Sequence, residues 1–166
     1  NYSYRSQGSF GQESNQKVGV FVKFRNDEKS GLGIPLPKGK VRVYKRDDEG
    51  KEEFIGEDQI DHTPKDEEVK LYLGNAFDIV GERRQTDFRV ESGRRWMSES
   101  FEIKVRNHKK EEVTVRVKEP LYRWTNWKIT EKNTDVQKLD ARTIAFDVKV
   151  PADGEKTITY TVEYTW

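Results

Sequence analysis

The chain holds two histidines, His62 and His108, and no cysteine. Nucleophilic catalysis of the Cys–His kind is therefore excluded, and a Ser–His–Asp arrangement would have to be built on one of these two imidazoles. His62 stands close in sequence to Asp58, Asp61 and Asp66, carboxylates that could orient a general base or hold a metal ion. Histidine beside turn carboxylates is more often a solvated loop residue, so a hydrolase using His62 and Asp61 is the weakest of three functional readings. His108 precedes Lys109 and Lys110 at an expected turn, a position that argues against a buried base. The run Asp47-Asp48-Glu49-Gly50 has the residue types of a calcium loop. With Gly50 at the glycine position of such a loop, however, Lys45 falls where the first carboxylate ligand belongs. An acidic hairpin turn is the reading kept. Neither a metal site nor any other cofactor is expected.

The aromatic residues carry more weight. Trp96, Tyr122, Trp124 and Trp127 lie in or near connections, and an exposed Trp–Tyr platform is what stacking on a sugar ring or docking a partner would use. The competing reading is that these rings close the ends of a β structure otherwise short of large aliphatics. Tyr164 and Trp166 are assigned to the buried face of a terminal strand. Nucleic-acid binding would need a basic face, for which Arg83-Arg84, Arg94-Arg95 and Lys109-Lys110 are the candidates. With 31 Lys and Arg interleaved among 30 Asp and Glu, and a net charge of +1, nucleic acid is not an expected partner.

The elements that would position these residues are strands. Val, Ile and Thr total 35 against 11 for Ala, Leu and Met, residue types that suit a pleated surface better than a helix. Hydrophobic residues make up 33% and charged residues 37% of the 166, a balance that half-exposed sheets satisfy by sending charge outward. No apolar run approaches the roughly 18 residues of a membrane-spanning helix.

Alternation marks strands at Val18–Phe24, Val41–Tyr44, Phe54–Ile60, Val69–Leu73 and Phe77–Val90, with a parity change that predicts a bulge near Gly81. Phe101–Val105, the turn Asn107-His108-Lys109-Lys110 and Val113–Val117 read as the clearest hairpin. Asn107 is a residue able to take a left-handed turn conformation. Strands at Trp127–Ile129, Ile144–Val150 and Ile158–Trp166 follow, and 136–139 is ambiguous. About ten strands without helical periodicity predict an all-β antiparallel β-sandwich, immunoglobulin-like at least over 77–166. Residues 17–76 form an N-terminal β subdomain or sheet extension. Residues 1–16, rich in Ser, Gln, Gly and Asn, read as a flexible leader or linker. The chain begins at Asn1, without an initiator Met or an apolar signal segment, and so reads as an excised or processed part of a longer protein.

Several phrases resemble a known family. They are Gly31-Leu32-Gly33-Ile34-Pro35-Leu36-Pro37-Lys38-Gly39-Lys40-Val41-Arg42-Val43-Tyr44, Phe54-Ile55-Gly56-Glu57-Asp58, Ile60-Asp61-His62-Thr63-Pro64, Leu73-Gly74-Asn75-Ala76-Phe77-Asp78-Ile79, Val105-Arg106-Asn107-His108-Lys109 and Val150-Pro151-Ala152-Asp153-Gly154. In order they resemble the domain of unknown function 4139, the C-terminal region of proteins similar to mucoidy inhibitor A, over roughly residues 18–166. The resemblance implies a β-rich domain of a bacterial protein usually exported, periplasmic or secreted, with no established activity. Members usually carry an N-terminal domain and a coiled-coil stretch upstream. The leading reading is a non-enzymatic interaction or assembly module whose partner is a protein or polysaccharide at the cell envelope. A carbohydrate-binding module using Tyr122, Trp124 and Trp127, with Trp96 nearby, is the alternative.

Overall fold

A computed structural model describes residues 13–46 and 49–166. The strand-forming composition resolves into ten strands: β1 (Glu13–Arg25), β2 (Gly39–Arg46), β3 (Glu52–Ile60), β4 (Glu68–Glu91), β5 (Trp96–Asn107), β6 (Val113–Pro120), β7 (Trp127–Lys132), β8 (Gln137–Asp140), β9 (Thr143–Val150) and β10 (Gly154–Thr165). Short 3₁₀ turns sit at Glu28–Ser30 and Ser92–Arg94, and the described residues contain no α-helix. The expected all-β, antiparallel class is observed. Most of the expected leader, and Asp47 and Asp48 of the acidic turn, fall outside the described residues; Glu13 to Gln16 begin β1.

The strands form three sheets, ordered β1-β4-β5-β10-β7, β2-β3 and β6-β9-β8. The chain divides into two compact units, Val18–Ala76 and Phe77–Trp166, the second including the described residues ahead of Val18. Buried apolar side chains concentrate in the C-terminal unit. Phe101, Ile103 and Val105 of β5 lie beside Tyr160, Ile158 and Lys156 of β10, and the Tyr160 ring meets Phe101 at 5.2 Å and Phe146 of β9 at 5.4 Å. At roughly 1.5–3 kcal/mol per fully buried large side chain, this cluster is the main source of stability. Among the described residues of the N-terminal unit, only Val69 and Leu71 are buried apolar side chains. There the β2–β3 ribbon comes so near β4 that a Cβ on Gly56 would lie 3.0 Å from the Leu73 carbonyl oxygen, so the missing side chain permits the approach.

Three expectations about connectivity need correction. First, β5 and β6 do not form a hairpin. Both edges of β5 are occupied over its whole length, by β4 and β10, and β6 pairs with β9 in the other sheet. Alternation fixes which face a residue takes, not which strand lies beside it. Second, the register shift in β4 falls between Gln85 and Asp87 rather than at Gly81, which remains in register opposite Val105. Third, Asn107 is not among the residues with positive φ. It is buried, its Nδ2 donates to the carbonyls of Glu111 (2.8 Å) and Pro151 (2.9 Å), and its Oδ1 accepts from Lys109 N at 3.0 Å. The side chain, not a left-handed backbone, turns the chain out of β5. In addition, the segments around Val69–Leu73 and Phe77–Val90 are one strand, β4, with Gly74 at φ 115 within it.

Asn26 plays the corresponding part in the N-terminal unit. Its fully buried amide donates to the carbonyls of Ile34 (2.7 Å) and Pro64 (2.9 Å) and accepts from Gly33 N at 3.1 Å. The Gly31–Gly39 connection and the 61–67 loop are thereby tied together, with Leu36 bridged to Thr63.

Candidate functional site

The four aromatic residues singled out by sequence do not make one platform. Residues opposite one another in an antiparallel pair share a face. Trp96 lies opposite Thr165 and Trp127 opposite Tyr164. Because Tyr164 and Thr165 are adjacent in β10, Trp96 and Trp127 belong to opposite faces of the sheet. Trp127 is half-buried, its indole N–H donates to the Ala141 carbonyl at 2.8 Å, and the Lys138 ammonium stands 5.0 Å from its ring centroid. Trp124, also half-buried, lies 6.5 Å from the Trp166 ring, which is itself half-buried. Tyr122 is the exposed member at 56%, with the Arg123 guanidinium 5.1 Å from its ring centroid. Tyr164 is buried.

His62 is an exposed loop residue whose Nδ1 accepts from the Lys38 backbone N–H at 3.2 Å. Two of its three expected carboxylate partners, Asp61 and Asp58, are engaged elsewhere. Asp61 pairs with Lys38 Nζ at 3.3 Å, and its carbonyl accepts from the Thr63 hydroxyl at 2.9 Å. Asp58 Oδ2 accepts from Tyr72 N at 2.7 Å, and this bond, followed by one from Gln59 N, holds its carboxyl below the usual range. Asp58 is thereby a clasp between β3 and β4. His108 is exposed. No group of three or more His, Cys, Asp or Glu side chains able to hold a metal ion occurs among the described residues.

The paired cations also disperse. Arg83 turns to the interior, Arg84 pairs with Glu102 at 2.9 Å, Arg94 with Glu91 at 3.2 Å, and Lys110 with Asp153 at 2.7 Å. They present no continuous basic face.

The densest polar chemistry gathers around two glutamates that carry no motif in the sequence. Glu99 and Glu119 are 1% and 4% exposed. Glu99 Oε1 accepts from Gln85 Nε2 (2.8 Å), Arg123 Nε (3.0 Å) and Arg123 Nη2 (2.6 Å). Glu119 accepts from Arg83 Nε at 2.9 Å and from the Tyr160 hydroxyl at 2.5 Å, while the Arg83 guanidinium stands 4.0 Å from the Phe101 ring centroid. Burial, then the Glu119 carboxylate, push the Tyr160 phenol well above its ordinary range; burial and Glu99 do the same to Tyr164. Two carboxylates against two guanidiniums leave the interior near charge balance, as buried ions require. A phenol held this firmly protonated donates but cannot serve as a base near neutral pH, and the bonds that Glu119 accepts tie β6 to β4 and β10. The signal in the sequence was the missing apolar residue at the inward positions Arg83 and Gln85, between Ile79 and Phe88.

The N-terminal unit differs in kind. Among the described residues, all the exposed large apolar side chains except Phe77, Tyr122 and Leu139 lie there. Two ring pairs stand among them, Phe21 with Tyr72 at 5.2 Å and Tyr44 with Phe54 at 5.6 Å.

No family model, curated protein or solved structure matches this chain. Among the described residues no helix is long and apolar enough to cross a membrane.

Proposed function

We propose that this chain is a non-enzymatic interaction or assembly module of an exported bacterial protein, acting at the cell envelope. The observation that carries this reading is the concentration of exposed apolar and aromatic side chains on the N-terminal unit, the usual mark of a contact surface. The resemblance to the C-terminal region of mucoidy-inhibitor-like proteins adds the extracytoplasmic setting and rests on the sequence phrases alone.

The C-terminal unit serves in this reading as a β-sandwich. Contacts between the sheets support that architecture, namely Phe146 with Tyr160 and Glu119 of β6 with Arg83 of β4 and Tyr160 of β10. Any kinship with the immunoglobulin fold goes no further than the division into β4-β5-β10-β7 and β6-β9-β8. In the immunoglobulin order the second of seven strands pairs with the fifth, whereas here β5 pairs with β10.

The second reading, a carbohydrate-binding module, is favoured by exposed Tyr122 beside Arg123. A test separates the two. The whole chain, immobilised, is expected to retain an envelope protein that a Phe21→Ser/Tyr72→Ser variant fails to retain and a Tyr122→Ala/Trp124→Ala variant still holds. Loss in the second variant alone, with indole fluorescence shifting on addition of a polysaccharide, would favour the carbohydrate reading instead.

A further inference from the structure

The β2–β3 ribbon segregates charge by strand. Between Gly39 and Arg46, β2 carries Lys40, Arg42, Lys45 and Arg46 and no carboxylate; between Glu52 and Ile60, β3 carries Glu52, Glu53, Glu57 and Asp58 and no cation. The register then sorts these residues by face. Arg46 lies opposite Glu52, Tyr44 opposite Phe54, and Arg42 opposite Glu57, the shift at Val43/Tyr44 keeping these on one side. Val41, Val43 and Gly56 take the other side and are the less exposed, as the approach of Gly56 to Leu73 requires. The outer face therefore presents an aromatic pair, Tyr44 at 51% and Phe54 at 52% exposure. It is flanked along the strands by Arg46–Glu52 at 3.0 Å on one side and by Lys40–Glu57 and Arg42–Glu57, at 2.8 and 3.3 Å, on the other. Each flank is cationic on β2 and anionic on β3.

We propose that this face is a contact between two copies of the chain, related by a twofold axis parallel to the ribbon strands. Such an axis lays β2 of one copy over β3 of the other. Tyr44 then meets the mate's Phe54, and each cationic flank meets an anionic one. A twofold axis across the strands, still in the plane of contact, would stack β2 on β2 and oppose like charges at both flanks. Edge-to-edge pairing of β2 with β2, or of β3 with β3, meets the same repulsion. The charge pattern thus selects one closed, isologous arrangement. Exposed ion pairs add little affinity, so the charges set orientation while the four rings supply the attraction.

A two-strand face of this length buries only about 500 Å² in total, from strand spacing and rise. That is below the roughly 1,200 Å² of a standard stable interface, so the contact is weak and concentration-dependent. This proposal rests on the interaction-module reading and names one partner for it, a second copy.

Sedimentation equilibrium of the whole chain, from micromolar to about millimolar concentration, tests it. The average mass should rise with concentration toward twice the 19.5 kDa of one chain. Tyr44→Ser/Phe54→Ser should weaken association at least about tenfold. Lys40→Glu/Arg42→Glu/Arg46→Glu and Glu52→Lys/Glu57→Lys should each remain monomeric alone and associate when mixed, circular dichroism first showing that each is folded. A mass fixed at one chain through the whole range, growth beyond two, or no rescue on mixing folded variants overturns the contact. If a charge variant fails to fold, the Tyr44/Phe54 variant decides: association unchanged from the parent overturns the proposal. Failure here leaves capture of an envelope protein unaffected, since that is read separately with the Phe21 and Tyr72 variant.

Discussion

Glu99 accepts from an amide and a guanidinium while 1% exposed, and the cost of disturbing it follows from what would remain. Glu99→Ala leaves the Arg123 guanidinium, whose side chain is 8% exposed, without its carboxylate. Breaking a buried pair in this way costs about 3–5 kcal/mol. Urea unfolding should show that loss, whereas Glu99→Leu combined with Arg123→Met should cost distinctly less, because neither charge is then stranded. Equal losses in the two variants would mean that the pair is not desolvated. Tyr160 offers a second check. Its ionisation is pushed above that of an unfolded tyrosine by burial and by Glu119, so it contributes stability that is complete below about pH 10 and is lost as pH rises beyond it. In Tyr160→Phe the fall in stability as pH rises above about 10, measured by urea unfolding followed by circular dichroism, should be shallower than in the parent, whatever the change at neutral pH. An equally steep fall would mean that the phenol is not responsible. The role of neither glutamate is legible in the sequence. Glu99 and Glu119 are two among 30 acidic residues, and only tertiary pairing distinguishes them.

At the scale of elements, alternation was informative wherever a strand has one apolar face. Ile158, Tyr160, Val162 and Tyr164 read as inward residues of the last strand and are buried in β10. The same signal failed in two physical situations. Arg83 and Gln85 fill inward positions of β4 with polar groups, so the apolar pattern lapses and the bulge location is lost with it. Val105 and Val113 flank a good turn, yet the strand beside β5 is β10, which lies far along the chain and is chosen by packing rather than by local sequence. The candidate site was less legible still. Four aromatics in or near connections suggest one platform, but β10 separates Trp96 from Trp127 by placing them opposite adjacent residues. The ribbon in the N-terminal unit gives the corresponding prediction. Gly56→Ala adds a Cβ at 3.0 Å from the Leu73 carbonyl oxygen and 3.1 Å from its Cβ, overpacking worth roughly 1–3 kcal/mol. Amide exchange in β2 and β3 should accelerate while that in β9 and β10 does not; uniform acceleration would mean that the two units unfold together.

For the molecule as a whole, the two units differ in where apolar surface is buried and where it is left in water. Among the described residues, the C-terminal unit holds nearly all the buried apolar side chains and the N-terminal unit most of the exposed ones. Carboxylates held below their ordinary range by hydrogen bonds and cations occur in both units, including Glu57 beside Lys40 and Asp147 beside Arg116. For groups depressed in the folded state, the stabilising contribution is present above the unfolded value near pH 4 and is lost as pH falls through the folded value. Thermal stability should therefore show no loss from these groups between pH 7 and about 5 and should fall below about 4; a loss already complete at pH 5 would contradict the depressed carboxylates. The central claim is that the chain acts by contact through the N-terminal unit, with the polar cluster of the other unit as scaffold. It is tested most directly by capture of an envelope protein on the immobilised whole chain, comparing Phe21→Ser/Tyr72→Ser with Tyr122→Ala/Trp124→Ala. Retention should be abolished in the first and kept in the second; retention kept in the first and lost in the second would contradict contact through the N-terminal unit.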